Sequence, residues 1–130
     1  MRLKKFNPEM VGAQRRDKMT VRMYKKGFMT FNKITTETMG LTTSSRIEFC
    51  RDEERPNDWF IHVTKSDQGF RLWGKEGSSL INVNSVGMVR EIFSDIDYFH
   101  SKALFEISDR PVELNGEKFW KLITEKPMTW

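Results

Sequence analysis

Apolar and polar residues alternate near the start of the chain. Val21 and Met23 fall on one side and Arg22 and Tyr24 on the other, the period of a half-buried strand. Lys25, Lys26 and Gly27 follow as a polar turn, with a glycine available for positive φ. Met29 and Phe31 then alternate with Thr30 as a second strand. Asn32 suits an N-cap, because its side-chain carbonyl can accept from an orphan N–H one turn on. Ile34, Thr38 and Leu41 fall at helical spacing, and Gly40 lies where such a helix would end.

Residues 42–45 read as a polar loop. A third strand carries Ile47 and Phe49 on one face, residues 51–58 form a charged turn, and Trp59, Ile61 and Val63 line the returning strand. The pattern then starts again. Phe70 and Leu72 alternate with Arg71 and Trp73, residues 74–78 turn, and Ile81 and Val83 form a strand. Asn84 is expected to cap a helix carrying Val86, Val89, Ile92 and Phe93. Ala103, Phe105 and Ile107 form a strand, residues 109–116 a loop ending in Asn-Gly, and residues 119–123 the return.

A shift of 52 places Met29 on Ile81, Phe31 on Val83, Asn32 on Asn84, Ile34 on Val86 and Leu41 on Phe93. Each half is strand, turn, strand, capped helix, strand, turn, strand, which reads as an internal duplication. One such unit cannot cover both faces of its own strands. Two interleaved units share a core and leave few free edges. The expected fold is mainly β with two short helices (α+β), two fused units making a swapped-hairpin, barrel-like pseudo-dimer. The expected organisation is a basic arm over residues 1–19 and one domain over 20–130, with pseudo-repeats at 20–65 and 69–124.

Charge adds a direction to this layout. Residues 1–33 hold ten basic residues against two acidic, a balance of +8, while the remainder holds twelve against sixteen, or −4. A basic segment on a mildly acidic body points to a polyanionic partner, nucleic acid foremost; a solvated basic tail is the ordinary alternative. No apolar run approaches the roughly 20 residues of a membrane span, so no membrane partner is expected. No apolar run follows Lys4 and Lys5 as a signal peptide would require. The single Cys50 excludes an internal disulfide and fits a cytoplasmic setting.

The first half also resembles a known family. Val21-Arg22, the Gly27 turn, Phe31-Asn32, Met39-Gly40-Leu41 and Ile47-Glu48-Phe49 follow the order seen in AbrB-type swapped-hairpin transcription regulators. The resemblance covers residues 20–65. Asn32 stands where that family has proline, Ser44-Ser45 where it usually has Gly-Asp, and the turn is about one residue shorter. The second half matches in pattern alone, with Gly87 inside its helix. The family assembles as dimers that bind DNA through basic residues on and near the first hairpin. The resemblance therefore implies a DNA-binding role for Arg22, Lys25, Lys26 and Lys33, and leaves a homo-oligomer open.

Charge and resemblance together select Arg15, Arg16, Lys18, Arg22, Lys25, Lys26 and Lys33 as the nucleic-acid-binding set, with DNA ahead of RNA. Protection of an exposed hairpin by lysine is the ordinary alternative. Trp73, beside Arg71, is the candidate for base stacking; Trp59, Trp120 and Phe28 also lie on or beside strands, where core packing is tryptophan's usual task. Cys50, His62 and His100 do not make a zinc pattern, and the carboxylates Asp52, Glu53 and Glu54 sit among arginines in a turn. No phosphate-binding glycine loop of the Walker or dinucleotide type is present. The expectation is a non-enzymatic, cofactor-free DNA-binding regulator. The alternatives are a single-strand binder using sheet aromatics and a protein-interaction module without nucleic acid.

Overall fold

A computed structural model describes residues 1–5 and 18–128. Among these described residues, nine strands and two helices follow in chain order. They are β1 (Thr20–Tyr24), β2 (Phe28–Phe31), α1 (Lys33–Met39), β3 (Arg46–Arg51), β4 (Trp59–Thr64), β5 (Phe70–Arg71), β6 (Ile81–Asn84), α2 (Val86–Asp95), β7 (Lys102–Ile107), β8 (Val112–Leu114) and β9 (Glu117–Met128).

The strands form one antiparallel sheet in the order β5-β3-β4-β9-β7-β1-β2-β6, and β8 pairs with β9 beside it. An antiparallel bridge between Trp73 and Asn82, with N···O distances of 2.9 and 2.8 Å, links the two ends, so the sheet is nearly a closed barrel. The β1–β2 hairpin thus lies between β6 and β7, and the β3–β4 hairpin between β5 and β9. In both places the flanking strands come from the other half of the chain.

Strict alternation fills the interior. Val21, Met23, Met29, Phe31, Ile47, Ile61, Val83 and Phe105 are fully buried, while their sequence neighbours point outward or to the rim. Val89, Ile92 and Phe93 bring α2 onto this core, where Phe93 meets Phe105 edge-on at 6.2 Å between ring centroids. Met19, which the sequence assigns to the arm, is buried, and its carbonyl accepts from the Ile107 N–H at 2.8 Å.

The first helix begins and ends as its sequence implies. The Asn32 Oδ1 accepts from the Thr35 N–H at 3.1 Å, and Gly40 closes the helix at φ 67°. Asn32 also ties this helix to β1. Its Oδ1 accepts from the Thr20 N–H at 3.3 Å, its amide donates to the Lys18 carbonyl at 2.7 Å, and its own N–H donates to the Thr20 carbonyl at 3.2 Å. A proline at this position would lack that last donor.

Two sequence expectations need correction. The cap of α2 is Ser85, whose hydroxyl accepts from the Met88 N–H at 3.1 Å; Asn84 instead ends β6, paired with Phe28. Residues 109–116 are not wholly loop, because β8 pairs with the first residues of β9 across the Asn115-Gly116 turn. Among the described residues, no helix is long and apolar enough to cross a membrane.

Candidate nucleic-acid interface

The β1–β2 hairpin is the frame of the site. Lys25 and Lys26 are exposed at its tip. Gly27 makes the turn at φ 107° and is buried against the start of α2. The Ser85 N–H donates to the Gly27 carbonyl at 2.8 Å, and the Lys25 N–H donates to the Ser101 carbonyl at 2.7 Å. The tip is therefore pinned on two sides by second-half backbone.

That seating brings in a residue the linear reading omits. Tyr24, Lys25, Lys26, Val86, Arg90 and Ser101 line one open cleft of about 710 Å³. A second cleft, lined by Lys26, Gly27, Phe28, Asn84, Ser85 and Val86, adjoins it. Among the described residues, neither lining includes an aspartate or glutamate. Arg90 follows Val86 by four residues, one helical turn, which puts both on the same side of α2.

Arg22 is exposed midway along β1, cross-strand from Thr30 and Leu104. Lys102 stands opposite Tyr24. Lys18 and Lys33 are not part of this group. They flank the opposite end of the hairpin, and β1 alone, at five residues, spans about 17 Å. Both have carboxylate partners there: Lys18 with Glu106 at 3.4 Å, and Lys33 with Glu37 at 4.0 Å. Arg15 and Arg16 lie outside the described residues.

The tryptophans divide sharply. Trp59 and Trp120 are 4% and 7% exposed, whereas Trp73 is 36% exposed. Trp73 is also not alone. Its ring centroid lies 5.7 Å from that of Phe28, which lies 5.9 Å from that of Tyr24, and both pairs are tilted. The outward positions of β1, β2 and β6 are Thr20, Arg22, Tyr24, Phe28, Thr30, Asn82 and Asn84, with no acidic residue among them. Arg71 precedes Trp73 by two residues on the adjoining strand and is exposed.

The groups weighed for catalysis lie on another face. Cys50 and His62 occupy adjacent strands, opposite Phe60 and Glu48 respectively. His62 stacks on Phe119 at 4.8 Å, its Nδ1 lies 3.1 Å from the Lys118 carbonyl, and its Nε2 lies 3.6 Å from Glu117. Burial foremost, then the Glu48 and Glu117 carboxylates, push the Cys50 thiol pKa up, which disfavours the thiolate. Among the described residues, no three metal-ligating side chains converge.

No protein-family model, no curated protein and no solved structure matches this chain.

Proposed function

We propose that this chain is a non-enzymatic nucleic-acid-binding protein that grips phosphates with the tip of its β1–β2 hairpin. One observation carries this: Lys25, Lys26 and Arg90 line a single open cleft whose described lining holds no acidic residue. Arg22, on the outer face of the same hairpin, extends the cationic track. Phosphate contacts of this kind position a nucleic acid without reading its sequence, while an arginine can also reach base edges.

We further propose that the fold is two fused swapped-hairpin units of the AbrB kind. The strand order supports this. Exchanging β1 with β5, β2 with β6, β3 with β7 and β4 with β9 returns the same circular order. Thr30 pairs with Asn82, its own counterpart at the shift of 52, and donates to the Asn82 side-chain oxygen at 2.9 Å. Self-pairing of equivalent residues is what a two-fold relation between hairpins requires.

A salt titration tests the binding proposal. Four cations on phosphates give a log–log slope of about −3.6 on duplex DNA, or about −2.8 on a single strand. Replacing Lys25 and Lys26 together with alanine removes about half of either slope. Replacing Lys18 and Lys33 together leaves it unchanged. Absence of binding at low salt, or a full slope in the Lys25/Lys26 variant, refutes the assignment.

A further inference from the structure

We infer that the outer face beside the hairpin is a stacking platform for unpaired bases, so that the nucleic acid held by the tip is single-stranded. This rests on the phosphate-binding proposal and names its substrate class. Tyr24, Phe28 and Trp73 form one contiguous row of rings on the outside of the barrel, at 5.9 and 5.7 Å between neighbouring centroids. The row is assembled from both halves of the chain, since Trp73 reaches Phe28 only through its bridge to Asn82 and the pairing of β6 with β2.

The choice of occupant follows from the surroundings. The row ends at the cationic cleft, of which Tyr24 is itself a wall. Arg22 and Arg71 stand on the same face, and the outward positions of β1, β2 and β6 carry no carboxylate. Rings beside cations match a chain of alternating π-faces and phosphates. In a duplex, base faces are hidden in the stack and only edges and phosphates are presented, so the rings would have nothing to cover. The tilts of 54° and 59° between neighbouring rings favour bases taken singly over one continuous stack.

The experiment uses the full chain, a thymidine oligomer of about 12 nucleotides, an abasic oligomer with the same number of phosphates, and a duplex of the same length. The thymidine oligomer should bind about 5- to 150-fold more tightly than the abasic one, the range for one stacked base. Trp73→Ala should remove that advantage and leave abasic binding unchanged, with circular dichroism checking the fold. The native protein should show tryptophan quenching with thymidine, and Trp73→Phe should keep most of the affinity while losing that quenching, a readout that stands if the alanine variant does not fold. Equal affinity for the thymidine and abasic oligomers overturns the platform but leaves phosphate binding standing. So does a preference for the duplex, or quenching that persists in Trp73→Phe. Binding to none of the three probes overturns both.

Discussion

Gly27 is the residue on which the site's geometry turns, and replacing it with alanine measures how closely the hairpin tip and α2 approach. A Cβ at this position would lie 2.6 Å from the Val86 N, 2.7 Å from its Cγ2 and 2.8 Å from its Cα. Two of those atoms are helix backbone, which cannot swing aside as a side chain can. The φ of 107° lies outside the left-handed helical well as well. The backbone strain costs about 1–3 kcal/mol, and the overpacking about 1–3 kcal/mol more. Together they remove about 2–6 kcal/mol from a stability of the usual ~5–15 kcal/mol. Gly40 is the internal control. It sits at φ 67° with nothing within 4 Å of an added Cβ, so Gly40→Ala pays only the left-handed cost of about 1–2 kcal/mol. Urea unfolding followed by tryptophan emission and circular dichroism gives both values by linear extrapolation. Gly27→Ala should be the worse by at least about 1 kcal/mol. Equal losses at the two glycines would show that the tip does not rest on α2 in solution, and Arg90 would then have no reason to join Lys25 and Lys26.

Further outcomes follow from the helix caps and the lone thiol. Asn32→Ala should destabilise by about 1–2 kcal/mol in the same unfolding assay, since it removes the α1 cap and leaves the Thr20 N–H with one acceptor fewer. Ser85→Ala should cost about 1 kcal/mol, and Asn84→Ala should stay within about 0.5 kcal/mol, which separates the true cap of α2 from its neighbour. Burial raises the Cys50 thiol pKa above its ordinary 9.0, so alkylation by iodoacetamide should be slower in the native than in the unfolded protein at pH 8. The sign of the linkage is that of a raised pKa: the contribution is complete below the unfolded thiol value and is lost as pH climbs through the folded one. Stability should therefore fall at alkaline pH, and a Cys50→Ser variant should lack that component.

Most of the barrel was written in alternation. Val21, Met23, Met29 and Phe31 declare their buried face because β1 and β2 each have one side on the core, and Asn32 and Gly40 bracket α1 with residues suited to its two ends. The exact start of α2 was not legible, because Asn84 and Ser85 are both competent caps. Pairing with Phe28 holds Asn84 in the ladder, a contact 56 residues away, and so passes the cap to Ser85. β8 did leave a signal. Val112 and Leu114 alternate before Asn115-Gly116, both at positive φ, as a tight hairpin turn requires. Its full exposure hides it, since an outward strand has no buried face to mark its period. The proposed binding set is divided by the fold. Counting charge along the chain groups Lys18 and Lys33 with Lys25 and Lys26, but the strands carry these pairs to opposite ends of the hairpin. Arg90 and Trp73 are distant in sequence, and only the strand order brings them to the site.

On the duplication reading, fusion also accounts for a lysine-bearing tip on one hairpin and not on the other. A homodimer of swapped hairpins repeats every surface feature twice, because a two-fold axis copies each tip. A single chain holding both units is free of that constraint. The second turn, residues 74–78, sets Lys75 beside Glu76, so the second hairpin keeps a turn but not the net positive charge that Lys25 and Lys26 give the first. Its own contribution is different. It supplies Trp73 next to Phe28, the helix start against which Gly27 rests, and Arg90 on the cleft. One hairpin carries the exposed lysines, and the other contributes the support and the far end of the aromatic row. On that reading the pairing of Thr30 with Asn82 would mark the two-fold relation between the halves, and the side chains on either side of it differ between the two hairpins.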